Sequence, residues 1–167
     1  GDRSVMGLIG LVKLEEFEKG IILPHEETLS KAKTDRFNLM KATNCNFSDI
    51  YALYMDDGGE EEALDILALV SREQPVTEMT DEAGLIHRLW AITDEGVITR
   101  ISAHLADTKL YIADGHHRYE TALNYRNYLR EQGVPEGTAA DYVMMMMVEM
   151  SHPGLVVFPT HRMIRDV

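Results

Sequence analysis

The sequence predicts an α+β fold, a mixed β-sheet with flanking helices, forming a single domain over residues 1–167. Three observations lead there. Apolar runs of strand length recur along the chain, bounded by Gly, Pro and Asp. Segments with apolar residues at helical spacing stand between them. The two kinds do not alternate strictly, as the repeated βαβ units of an all-parallel sheet would require.

Taken in order, residues 5–14 are almost wholly apolar and read as a buried strand. Residues 15–19 fit one helical turn ended by Gly20, and residues 21–23 a short strand stopped by Pro24. A polar run over 30–35 precedes a helix over 35–43 whose apolar side carries Phe37, Leu39 and Met40. Residues 50–55 read as a strand and 56–59 as a turn. A helix follows over 60–72, with acids in its first turn where the dipole favours them. Residues 76–79 and 85–92 flank a turn at 81–84, which predicts a β-hairpin with His87 and Arg88 on opposite faces. Asp94 is a candidate N-cap for a helix reaching Ala106. The run DYVMMMMVEM over 141–150 reads as a buried strand, since methionine is adaptable filler in a core. A turn at 152–154 and a strand over 155–158 close the pattern.

Composition narrows the function classes. The net charge of −12 disfavours broad nucleic-acid binding, because the phosphate backbone would be repelled away from any local basic patch. No apolar run has membrane-spanning length. The single Cys45 excludes an intramolecular disulfide and a cysteine-rich zinc site, and it is compatible with a reducing cytoplasm. The expected location is therefore cytoplasmic. The chain opens on Gly1 without a methionine and ends at Val167 without a terminator, so a piece of a longer protein is expected.

The stretch that organises the chain is 110–130, LYIADGHHRYETALNYRNYLR. An apolar strand stops at Asp114-Gly115, and a helix follows with Ala122, Tyr125 and Leu129 on one side and Gly133 as its stop. Gly115, His116, His117 and Arg118 then occupy the first helical turn. Backbone N–H groups there lack partners and the dipole end is positive, so the turn suits an anion such as phosphate. Arg118 adds a planar fork for phosphate oxygens. In the simpler reading, Asp114 is an ordinary N-cap accepting from the amides of His116 and His117.

Two further polar clusters end or follow predicted strands: His25-Glu26, and Thr160-His161-Arg162. If the strand ends meet, cations and amides would neutralise phosphate, one carboxylate would hold Mg²⁺ and another would activate a hydroxyl. His161 and Arg162 are additional candidates. Lys31, Lys33 and Arg36 have the reach for a phosphate, but solvated surface roles suit them better. Zinc at His116 and His117 is the competing chemistry. Neighbouring residues on a helix diverge, however, and no HExxH spacing occurs.

Four motifs in this order, PHEET, NFSDIYALY, IADGHHRYETAL and PTHR, resemble a family of uncharacterised prokaryotic proteins known as domain-of-unknown-function 1015. The resemblance covers nearly the whole chain, and members of that family are longer at both ends. The DGHHR turn is also similar to the phosphate-binding turn of the ParB/sulfiredoxin fold. Closest in motif are the free-serine kinases, which carry a PHE stretch upstream of that turn. The resemblance implies that Glu26 is a base activating a substrate hydroxyl, that Asp114 lies near Mg²⁺, and that Gly115, His116, His117 and Arg118 cradle the phosphates of ATP or ADP. Sulfiredoxins carry a catalytic cysteine in this turn where the present chain has His116, which argues against a sulfinic-acid reductase. The first expectation is a nucleotide-dependent phosphotransferase acting on a small hydroxyl compound such as free serine. The second is a non-catalytic nucleotide-binding or regulatory module, and the third a metal-dependent phosphoesterase or nuclease. The partners expected are the nucleotide and a small-molecule substrate.

Overall fold

The computed structural model describes residues 3–26, 30–56 and 63–156. Strands β1 (Leu8–Lys13), β2 (Ile22–Leu23), β3 (Ile50–Tyr54), β6 (Leu110–Asp114) and β7 (Tyr142–Glu149) form one sheet in the order β1-β7-β3-β6-β2. The sheet is mixed: β1 and β7 are antiparallel, as are β3 and β6, while β3 with β7 and β2 with β6 are parallel. Strands β4 (Thr77–Thr80) and β5 (Ile86–Leu89) form a separate two-stranded hairpin.

Alternation decides which face of the sheet is covered. Ile50, Ala52 and Tyr54 of β3, Leu110 and Ile112 of β6, and Val143, Met145 and Met147 of β7 are buried on one face. Helix α4 (His116–Glu131) brings Tyr119, Ala122, Leu123 and Tyr125 onto it, and α1 (Ser30–Thr43) adds Met40. Transfer of the larger of these aliphatic side chains from water stabilises the fold by roughly 1.5–3 kcal/mol each. Tyr119 is fully buried, yet its hydroxyl is satisfied: it donates to the Glu15 carbonyl at 2.7 Å and accepts from the Glu15 amide at 2.9 Å. Burial pushes its phenol up to about 12, so it stays protonated in the physiological range.

Helices α2 (Ala63–Val70) and α3 (Glu95–Leu105) pair through a smaller cluster of Ile66, Leu67 and Ile101, joined by Met6 and Leu8. Asp94 caps α3, its side chain accepting from the Val97 amide at 2.9 Å. Every residue of β4 and β5 is exposed. An open cleft runs between β1, α3 and the hairpin, with Leu11, Ile101 and Trp90 among its walls; the candidate residues of the DGHHR turn do not line it.

Three expectations need correction. The helix expected over 35–43 starts earlier, because α1 already begins at Ser30 and takes in the polar run. Lys31, Ala32 and Lys33 are good helix formers, and propensity carries the turn that hydrophobic spacing does not mark. The strand expected over 155–158 does not include Leu155 or Val156, which have no regular structure; the remainder lies outside the described residues. A side chain at Gly154 would sit 1.8 Å from the Ser4 carbonyl oxygen, so backbone meets backbone here and the chain crosses the N-terminal segment. Last, Asp114 is the final residue of β6 and Gly115 takes the N-cap position of α4.

Candidate phosphate-binding turn

The site grows out of two parallel strands that end together. β2 pairs with β6 through Ile22–Leu110 and Leu23–Tyr111, so the residues after Leu23 run beside the end of β6. That register carries His25 and Glu26 to the start of α4, although about ninety positions separate them in sequence.

Gly115 makes the corner. Its φ of +100° is a left-handed conformation that costs an L-residue roughly 1–2 kcal/mol. A side chain here would also approach Nε, Nη2 and Cζ of Arg118 to 3.0–3.2 Å. No side chain caps the helix, and the first amide to find a helical partner is that of Tyr119, which donates to the Gly115 carbonyl at 2.9 Å. The first turn of a helix makes no backbone hydrogen bonds of its own, so its amides point out at this corner.

Arg118 folds back across this corner. One terminal nitrogen, Nη1, donates to Ser48 Oγ at 2.9 Å and to the Asp49 carbonyl; the other, Nη2, donates to the Asp114 carboxylate. The pair is solvated, since Asp114 is 76% exposed. Ser48 and Asp49 stand just before β3, which meets the end of β6 at a register shift opposite Asp114. Arg118 therefore fastens the entry to β3 onto the turn.

His116 lies on the inner side and is 2% exposed. Its Nε2 accepts the His25 backbone N–H at 3.2 Å. Its Nδ1 stands 3.1 Å from Glu26 Oε1, within ion-pair range but without hydrogen-bond alignment, so Nδ1 is a buried polar atom with no formal partner. The His25 ring meets the His116 ring edge-on at 4.4 Å, and His25 Nε2 lies 3.4 Å from the Ala113 carbonyl. Burial lowers the His116 pKa, and His25 adds to that; Glu26, Asp114 and Glu120 oppose it less strongly. The imidazole is accordingly neutral near pH 7. His117 is half-buried, and its carbonyl accepts from Thr121 Oγ at 2.6 Å.

The structure thus gathers His25, Glu26, Asp114, Gly115, His116, His117 and Arg118 at one corner of the sheet. His161 and Arg162 lie outside the described residues, as do the side chains of Lys31 and Lys33. Arg36 and Cys45 are exposed on and after α1. Ser48 and the Asp49 carbonyl were not anticipated at the site; the only sequence signal was their place in the NFSDIYALY motif. Among the described residues, no group of three or more His, Cys, Asp or Glu side chains is arranged to hold a metal ion. None of the described helices is long and apolar enough to cross a membrane.

Fold and corner together define an α+β protein with a mixed sheet, whose strand-to-helix junction gathers two acids, three imidazoles and a guanidinium. A family model described as "Protein of unknown function (DUF1015)" matches residues 1–167, and the chain belongs to that family. No curated protein and no solved structure matches it.

Proposed function

We propose that this corner binds the phosphates of a nucleotide and that the protein transfers a phosphoryl group to a small hydroxyl compound, free serine being one candidate. The observation that carries the reading is the delivery of Glu26 to the uncapped end of α4 through His25 and His116. The similarity of the DGHHR turn to that of ParB/sulfiredoxin proteins, and of the PHE stretch to that of free-serine kinases, supports it. A phosphate fits the corner physically: the N-cap Gly115 brings no side chain onto the helix end, and no Cβ there obstructs approach.

In this reading Glu26 takes the proton of the acceptor hydroxyl as its oxygen bonds to the terminal phosphorus and the bond to the nucleotide's bridging oxygen breaks. The first-turn amides and Arg118 absorb the charge on the transferred group. If Mg²⁺ accompanies the nucleotide it would supply further neutralisation, and Asp114, the exposed carboxylate of the turn, would be the residue to hold it. Arg118 Nη2 donates to Asp114, so Asp114 would have to release Arg118 to hold a cation, and Arg118 would then be available to phosphate. Thermal shift with ATP, ADP or CTP plus Mg²⁺ tests the reading, because a ligand bound to the native state raises its apparent stability. Glu26→Gln is expected to abolish turnover and retain the shift; equal loss of both would remove Glu26 from the role of base.

A non-catalytic nucleotide-binding module is the second reading. It is favoured by the engagement of both terminal nitrogens of Arg118 with partners in the chain itself. A nucleotide shift without phosphoryl transfer to any hydroxyl acceptor would select it.

A further inference from the structure

His116 is nine-tenths buried and more, its Nδ1 has no aligned partner, and that atom points at an exposed carboxylate. We propose that His116 is a positioning residue, fixed as the Nδ1–H tautomer, which aims Glu26 over the first turn of α4. The inference rests on the assignment of Glu26 as the base.

The tautomer follows from the acceptor. The His25 backbone amide can only donate, so Nε2, 3.2 Å away, must present its lone pair. A neutral imidazole accepting at Nε2 carries its proton on Nδ1. That proton faces Glu26 Oε1 at 3.1 Å, and a modest rotation of the half-exposed carboxylate brings the two into line. The ring cannot swing to another partner, being enclosed in the core and held edge-on by His25. Its Nε2 lone pair is also occupied, so His116 is not itself the base. The labour divides: Glu26 handles the proton, and His116 fixes two points of the 24–26 segment, a backbone amide and a carboxylate. An acidic side chain free to rotate in water would lose most of the benefit of position.

Long-range ¹H–¹⁵N NMR of the ¹⁵N-labelled protein at pH 7.5 reads the tautomer directly. The expected result is a protonated Nδ1 and an unprotonated Nε2. A proton on Nε2, or on both nitrogens, overturns the proposal. Glu26→Ala leaves the buried ring in place and should broaden or shift the Nδ1–H resonance through faster exchange; an unchanged resonance also overturns it. His116→Phe should speed exchange of the His25 amide by on the order of tenfold, as expected for one lost hydrogen bond, whereas Glu26→Gln should leave that amide protected. Failure of ATP, ADP and CTP with Mg²⁺ to shift the wild-type melting temperature strikes the phosphotransferase reading alone, because the NMR readout needs no nucleotide.

Discussion

The two ends of α4 use the same residue types to opposite ends. At its C-terminal end, Asp141 is 5% exposed and takes Arg130 Nη2 at 2.5 Å and the Gly137 amide at 2.6 Å. Its own carbonyl accepts the Leu14 amide at 2.8 Å. Arg126 donates to the Leu14 carbonyl at 2.9 Å and to the Glu16 carboxylate. Burial pushes the Asp141 carboxyl up, but the Gly137 amide and the Arg130 guanidinium together outweigh it and hold the pKa below the usual carboxylate range. These contacts lace α4 to β1 and to the entry of β7. At the N-terminal end, Asp114 is mostly solvated, His116 Nδ1 lacks an aligned partner, and the helix has no side-chain cap. An arginine–aspartate pair therefore says little by itself. What separates a staple from a site is whether the chain has already consumed the hydrogen-bonding capacity; at the staple, among the described residues, only Arg130 Nε is left over.

The largest effect should come from breaking the staple. Asp141→Ala strands the Gly137 amide and takes from Arg130 one of its two carboxylates, Glu136 remaining, and should cost roughly 2–3 kcal/mol, below the full penalty of a buried pair because Arg130 is partly solvated and keeps that second partner. Chemical denaturation measures it, and any nucleotide-induced thermal shift should survive. Loss of that shift without loss of stability would erase the distinction between the two ends. Asp141→Asn sharpens the same point through pH. The native carboxyl titrates below its unfolded value, so its contribution is complete above the ordinary carboxylate range and is lost as pH falls through the lowered native value. The difference in stability between wild type and Asp141→Asn should therefore shrink on acidification and be flat at neutral pH.

Gly115→Ala is next, expected to cost about 1–2 kcal/mol from the left-handed φ alone. The methyl group would also press on the Arg118 guanidinium, so the nucleotide shift should fall together with stability. A stable variant with an undiminished shift would mean that close approach at Gly115 is unimportant.

The sequence made the local parts of this comparison legible and hid the long-range ones. Gly115 between an apolar run and a helical pattern located the corner, and Asp94 and Gly20 marked their helix ends for simple reasons of capping and φ. The hairpin was visible because its turn is short and its strands pair locally. The order β1-β7-β3-β6-β2 was not legible, since its neighbours are distant in sequence and an apolar run does not name its partner. Everything that depends on that order was hidden too. Arg118 reaches Ser48 across seventy positions only because β3 lies beside β6. The inverted role of Asp114, a partner of Arg118 and not a cap, follows from the same placement. That His25 and Glu26 share a site with the turn is suggested by their place at a strand end and by motif resemblance; the parallel pairing of β2 with β6 is the physical reason they meet it.

Arg118→Ala should have the smallest effect on stability and the most selective effect on binding. The Asp114–Arg118 pair is open to water, and exposed ion pairs contribute about 0–1 kcal/mol. The bond to Ser48 adds little more, because that hydroxyl is exposed, and the bond to the partly buried Asp49 carbonyl accounts for the remainder. Unfolding should shift by less than about 1 kcal/mol, while the response to nucleotide should be strongly reduced. Arg118→Lys separates charge from geometry: an ammonium restores a point charge but not the planar fork, so only part of the response should return. If Arg118→Ala instead destabilised the fold as much as Asp141→Ala while leaving the nucleotide response intact, the N-terminal end of α4 would be a staple like the other, and the corner would have no claim to phosphate.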